Sequence, residues 1–174
     1  MQKRGALNGE WQLRTDGAAR GNPGPAGIGV VLVGPDGAVV DELAKGIGWA
    51  TNNVAEYQAL IEGLRLARSH GVDRLAVFSD STLLVEQMKG RWKVKHAGLK
   101  PLFSLASKLA KEIGNVRYVA VPRERNRRAD ELANLGVDRD NPQVEAPWRR
   151  GPSVPDRRNS FSADGRSSPK ATAM

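Results

Sequence analysis

Polar and apolar residues alternate over residues 10–16. Trp11 and Leu13 fall on one face and Gln12, Arg14 and Asp16 on the other, the period-two pattern of a strand. Arg20-Gly21-Asn22-Pro23-Gly24-Pro25 then predicts a loop from its density of turn residues. Two more strands are expected at 27–33 and 38–46. They are joined by Gly34-Pro35-Asp36-Gly37, whose Asp-Gly pair marks a hairpin. After Thr51-Asn52-Asn53 the period lengthens: Val54, Tyr57, Leu60, Ile61, Leu64 and Ala67 form one helical stripe that stops at Gly71. Residues 73–79 are apolar on both faces, Leu75 and Val77 against Ala76 and Phe78, which predicts a central strand covered on both sides. A short helix (81–89), a basic connector, a helix (98–113), a strand (116–121) and a last helix (127–137) follow. The order is βββαβααβα, an α/β class domain without internal repeats.

The chain has 174 residues, 40% hydrophobic and 26% charged, which suits one domain with an aliphatic core, since aromatics are only 5%. No apolar run approaches the roughly 18 residues that span a bilayer, and residues 1–10 lack the apolar stretch of a secretion signal. A soluble cytoplasmic protein without a membrane partner is expected. The absence of cysteine excludes disulfides, thiolate metal sites and Cys nucleophiles, and two histidines are too few for a His-rich metal site. Any metal must be held by carboxylates. The net charge of +8 points to a polyanionic partner, nucleic acid before an anionic membrane surface. Composition changes at Asn141: residues 141–174 hold five of the ten prolines and six basic against three acidic residues. Beyond Trp148 the only large apolar side chains are Val154, Phe161 and Met174, too few to offset the entropy of ordering the segment. The expected organisation is an extension at 1–8, a domain at 9–140 and a basic, Pro-rich, disordered tail at 141–174.

Four acids fall where elements meet. Asp16 ends the first strand and Asp80 the central one, and ligands of open α/β sheets gather beyond the carboxyl ends of parallel strands. If those strands are parallel neighbours, the two carboxylates lie side by side. Glu56 begins the long helix three residues after Asn53, which also fits a capping box. Asp130 lies early in the last helix, where an acid is ordinary, and Asp80 beside Ser81 also fits an N-cap. Four converging carboxylates would repel one another unless divalent cations neutralised them, and hard cations such as Mg²⁺ take oxygen ligands.

These acids sit within four stretches: Thr15-Asp16-Gly17-Ala18-Ala19-Arg20-Gly21-Asn22-Pro23-Gly24-Pro25-Ala26-Gly27, Thr51-Asn52-Asn53-Val54-Ala55-Glu56-Tyr57-Gln58-Ala59-Leu60, Phe78-Ser79-Asp80-Ser81 and Arg123-Glu124-Arg125-Asn126-Arg127-Arg128-Ala129-Asp130-Glu131-Leu132-Ala133. In this order, over residues 9–138, they resemble the type 1 ribonucleases H. The resemblance implies a ribonuclease H-like fold, a five-stranded mixed sheet of order 3-2-1-4-5 flanked by helices. It implies that Asp16, Glu56, Asp80 and Asp130 are catalytic residues holding two Mg²⁺ ions, with Mn²⁺ as a substitute. The implied activity is endonucleolytic hydrolysis of the RNA strand of RNA–DNA hybrids, leaving 5′-phosphate and 3′-hydroxyl ends. Asn22, Thr51 and Asn52 match positions along the hybrid's backbone and minor groove, where the 2′-hydroxyl distinguishes RNA from DNA. Gly17, Gly21 and Gly24 either admit a nucleic-acid strand or serve turns alone. Many relatives carry a His in the loop before the fourth acid. Here that loop reads Pro122-Arg123-Glu124-Arg125, and neither His70 nor His96 matches it.

The connector Lys89-Gly90-Arg91-Trp92-Lys93-Val94-Lys95-His96 resembles a short form of the family's basic substrate-binding protrusion. Lys93 and Lys95 would follow phosphates and Trp92 would press on the DNA strand's sugars. The alternative is a solvated connection whose Trp packs on the core; Trp11 and Trp49 are expected to fill the core. Two other functions compete with a monomeric hybrid-cutting enzyme that has no protein partner. A non-catalytic nucleic-acid-binding module gains nothing from acids set against phosphates. A broader metal nuclease of the superfamily does not account for the matches at Asn22 and Thr51-Asn52-Asn53.

Overall fold

The computed structural model describes residues 9–140, all within the first of two units, Met1–Asn141 and Pro142–Met174. The expected extension at 1–8 and tail at 141–174 lie outside the described residues. The elements run β1 (Trp11–Ala19), β2 (Gly24–Val33), β3 (Val39–Ala50), α1 (Asn52–Ser69), β4 (Arg74–Ser79), α2 (Thr82–Met88), α3 (Lys100–Ile113), β5 (Asn115–Ala120), a 3₁₀ turn (Arg123–Arg125) and α4 (Arg127–Asp140). The sheet order is β3-β2-β1-β4-β5, with β1 antiparallel to β2, β2 antiparallel to β3, and β4 parallel to both β1 and β5. This is the expected mixed sheet of order 3-2-1-4-5. No helix among the described residues is long and apolar enough to cross a membrane.

The core is aliphatic, as the scarcity of aromatics predicts. On one side of the sheet Leu60, Ile61 and Leu64 of α1 pack with Leu13, Val30, Leu32, Leu75 and Val77 of the strands and Leu109 and Ile113 of α3. α4 covers β2, β3 and part of β1 from the other side. Each methylene removed from water there contributes about 0.8 kcal/mol, so these contacts fix where the helices start.

Two expectations need correction, and two alternative readings fall. β1 does not end at Asp16; it pairs with β2 through Ala19↔Ala26, and only its pairing with β4 stops earlier, at Arg14↔Phe78. The loop is correspondingly short, closed by the Arg20 N–H donating to the Pro25 carbonyl at 2.8 Å. Trp49 is not core but 71% exposed, whereas Trp11 is partly buried against the core. The cause is a bulge in edge strand β3: Ala26 pairs with Gly48 and Gly27 with Gly46, leaving Ile47 as an extra residue, and Gly48 takes the left-handed φ of 80°. One extra residue reverses the alternation and turns Trp49 outward. Finally, α1 is capped by Thr51, whose hydroxyl accepts from the Val54 N–H at 3.2 Å, so Asn53 and Glu56 form no capping box. The α2 cap is likewise Ser81, not Asp80.

Candidate active site

The parallel register of β1 and β4 places the first two acids. Arg14 is opposite Phe78, and Asp16 and Asp80 each lie two residues further along their own strands. β4 ends at Ser79, so Asp80 stands at its carboxyl end beside Asp16. Side-chain oxygens of Asp16, Glu56 and Asp80 all lie within 4.8 Å of one another.

Glycines bring the helices to them. A Cβ on Gly17 of β1 would lie 2.3 Å from the Ala55 carbonyl carbon and 2.5 Å from the Glu56 nitrogen. Without one, the start of α1 rests on β1, and the Gly17 N–H donates to Glu56 Oε1 at 3.2 Å. The space at Gly17 is therefore filled by protein, not by a nucleic-acid strand. On the other face Gly29, paired with Asp16, leaves room for α4: a Cβ there would sit 2.1 Å from the Ala129 carbonyl oxygen. Asp130, in the first turn of α4, is thereby brought near enough to Asp16 to push its carboxyl up, although it lies outside the close group of Asp16, Glu56 and Asp80. Asn126, 1% exposed, locks this approach; its Nδ2 donates to the Thr15 carbonyl at 2.8 Å and its own carbonyl accepts from the Asp130 N–H at 3.1 Å. Sequence reasoning gave Asn126 no role, although an Asn just before a helix is the signal for such a junction.

Asp16 is only 2% exposed. Burial first, then the charges of Glu56, Asp80 and Asp130, push its carboxyl up to about 10. Glu56 is pushed up to about 8, by burial and then by Asp80, against the lowering effect of the Gly17 N–H. Burial and mutual repulsion thus oppose full ionisation of the cluster. Arg123 sets its Nε 3.8 Å from Asp80 Oδ2, but its side chain is 79% exposed, and an ion pair that open contributes at most about 1 kcal/mol. A dense set of hard oxygen donors that resists full ionisation suits divalent cations such as Mg²⁺.

The expected substrate contacts divide. Asn22 Oδ1 accepts from the Asn52 N–H at 3.0 Å, tying the β1–β2 loop to the start of α1, and the Thr51 hydroxyl is occupied as a cap. Both positions are structurally committed, whereas the Asn52 residue is exposed beside them. Trp92 is 49% exposed and Lys93 and Lys95 are exposed, so the connector presents these groups to solvent and does not bury its Trp in the core. His70 is spent on Asp41, with Nε2 at 2.9 Å from Oδ2, and His96 Nδ1 accepts from the Gly98 N–H at 3.0 Å.

A Reverse transcriptase-like family model matches residues 14–136. Bifunctional protein Rv2228c of Mycobacterium tuberculosis is 50% identical over 127 residues, 72% of this chain and 35% of the relative, so the chain spans about a third of that protein's length. The crystal structure of RNase H1 from the halophilic archaeon Halobacterium salinarum is 42% identical with a TM-score of 0.73, over 75% of this chain and 98% of that one. LC11-RNase H1, solved in complex with an RNA/DNA hybrid, is 45% identical with a TM-score of 0.72, over 75% of this chain and 99% of that one. The matched span takes in all four candidate acids and every strand of the 3-2-1-4-5 sheet but the first three residues of β1, and with these relatives the chain belongs to the type 1 ribonuclease H family.

Proposed function

We propose that the protein is a metal-dependent endonuclease that hydrolyses the RNA strand of RNA–DNA hybrids and leaves 5′-phosphate and 3′-hydroxyl ends. The observation that carries this reading is the carboxylate cluster: three acids with side-chain oxygens within 4.8 Å, Asp130 near enough to push the Asp16 carboxyl up, and burial that makes full ionisation costly. Asp16, Glu56, Asp80 and Asp130 would hold two Mg²⁺ ions, with Mn²⁺ as a substitute. Such ions activate a water and stabilise the leaving 3′ oxygen when bound. The Gly17 N–H and the α1 backbone orient Glu56, and Asn126 seats Asp130. All four acids come from one chain, which supports a monomer as the working species.

Recognition falls to the rim. The Asn22–Asn52 tie holds the start of α1 where the Asn52 amide can meet the minor groove, and the 2′-hydroxyl displayed there is what separates RNA from DNA. Across the site, Trp92, Lys93, Val94, Lys100 and Phe103 line a groove of about 430 Å³ suited to the sugars and phosphates of the DNA strand. The LC11 enzyme solved with an RNA/DNA hybrid supports this substrate class. A purely binding module on the same fold would weaken its own affinity by setting buried carboxylates against phosphates.

The test is cleavage of end-labelled hybrid, duplex RNA, duplex DNA and single strands in Mg²⁺ and in Mn²⁺. Hybrid is cut in its RNA strand only, and 2′-O-methyl substitution around the scissile phosphate blocks cutting. Comparable cleavage of duplex DNA and hybrid would overturn the reading in favour of a general metal nuclease.

A further inference from the structure

The connector between α2 and α3 contains neither helix nor strand, yet it carries the groups proposed to hold the DNA strand. Its backbone is tied at the near end, where the Arg91 and Trp92 N–H groups both donate to the Glu86 carbonyl, at 2.9 and 3.2 Å. Its middle is tied from below by one buried side chain. Gln87, 4% exposed near the end of α2, donates through Nε2 to the Lys93 carbonyl at 3.3 Å and accepts through Oε1 from the Tyr57 hydroxyl at 2.7 Å. Tyr57 is 1% exposed and follows Glu56 directly in α1.

The chemistry fixes the direction of this chain of bonds. A carbonyl only accepts, so the Gln87 amide nitrogen must face Lys93 and its oxygen must face Tyr57, which then has to donate. A buried amide makes such bonds because leaving them unmade costs about 1 to 3 kcal/mol. The consequence is geometric: two adjacent residues of α1 serve two places, Glu56 the acid cluster and Tyr57 the connector.

We propose that Gln87, braced by Tyr57, is a positioning residue for substrate binding: it sets Trp92, Lys93 and Lys95 at a fixed distance from the acid cluster, so that the DNA strand is held in register with the cut in the RNA strand. The proposal rests on the reading that the connector binds the hybrid. A merely structural bond would lower stability alone, so unfolding temperature does not discriminate.

Steady-state cleavage of hybrid in Mg²⁺ does. Tyr57→Phe keeps the ring and removes only the donor; Gln87→Met keeps length and removes both bonds. Each is expected to raise KM roughly three- to tenfold, the equivalent of one hydrogen bond, with kcat at saturating hybrid unchanged within about twofold. The same Tyr57→Phe change, made where Trp92, Lys93 and Lys95 are already Ala, is expected to leave KM where the triple replacement put it. If the triple replacement raises KM but Tyr57→Phe does not, or if its effect persists undiminished in that background, the brace is structural only and the proposal fails. If the triple replacement itself leaves KM and its salt dependence unchanged, the connector does not bind the hybrid and the proposal falls with that reading. Should Gln87→Met fail to fold, Tyr57→Phe in the two backgrounds decides alone.

Discussion

Replacing Asp80 by Asn should make the protein more stable in the absence of metal while destroying the proposed cleavage, because the charge is proposed to serve metal binding and opposes folding. The carboxylate oxygens of Asp80, Glu56 and Asp16 lie within 4.8 Å. At that separation two unit charges repel by roughly 3 kcal/mol in an effective dielectric of about 20 and by about 1 kcal/mol in water. The Asp80 side chain is 12% exposed, so the true value lies between these limits. For a domain of this size about 1 kcal/mol moves the unfolding midpoint by roughly 3 °C, so Asp80→Asn should raise it by about 3 to 10 °C in EDTA. Asn keeps the shape, and the α2 cap is Ser81, so no capping bond is lost.

The gain must depend on pH with a definite sign. Glu56 is pushed from 4.5 to about 8, so its protonated form contributes stability that is full below about pH 4.5 and lost as pH rises through 8. Asp16 follows the same direction, with the loss completed near pH 10. Asp80 is among the charges raising both groups, so the difference between variant and wild type should be small at pH 5 and clearly larger at pH 9, where Glu56 is ionised and Asp16 only begins to be. Mg²⁺ should stabilise the wild type at pH 9 and the variant much less. Cleavage should fall by more than the roughly 10- to 100-fold that loss of an outer partner of a metal costs. Thermal unfolding at pH 5, 7 and 9 with and without Mg²⁺, beside the cleavage assay, reads all of this. A gain equal at pH 5 and pH 9, or no gain at all, would refute the repulsion argument.

Gly29→Ala should cost about 1 to 3 kcal/mol by overpacking, since its Cβ would strike the Ala129 carbonyl oxygen at 2.1 Å, and cleavage should fall further than stability because α4 carries Asp130 away from Asp16. Normal kcat in a folded variant would show that Asp130 is not needed at that distance. Deleting residues 141–174 removes six basic residues, and each lost phosphate contact should flatten the slope of log K against log[salt] by roughly 0.7 to 0.9 with kcat retained. An unchanged slope would show that the segment does not touch substrate.

What the sequence made legible follows from periodicity. The parity of Gln12, Arg14 and Asp16 and the two apolar faces of residues 75–78 were enough to find β1 and β4 as strands but left their pairing conditional; the resemblance supplied the strand order, and the observed register, Arg14 opposite Phe78, places Asp16 beside Asp80. Glu56 and Asp130 were legible from the residue pattern only as acids at helix starts; their convergence entered through the family resemblance, because it depends on close approach across the chain. Trp49 was misplaced for a local reason: a single extra residue, Ile47, reverses strand parity, and nothing in the run Lys45-Gly46-Ile47-Gly48 says on which residue the bulge falls. The capping box failed because Thr51 and Asn53 are both good caps, and the helix starts at the earlier one.

The residues that draw the site together are mostly not those that perform its chemistry. Gly17 and Gly29 act by the side chain they lack, one letting α1 deliver Glu56 and the other letting α4 deliver Asp130 to the two sides of the same strand pair. Asn126 and Gln87 are neutral, buried and polar, and each spans from a helix end to a backbone carbonyl that would otherwise be loosely placed. Such residues leave no periodic or charge signal, since glycine and neutral amides occur in any turn. Their effect appears only once contacts are known, and it is large there because four repelling carboxylates hold no geometry of their own. The fold supplies the force that keeps Asp16, Glu56, Asp80 and Asp130 near one another, and it does so by closing helices onto glycines on both faces of β1 and β2.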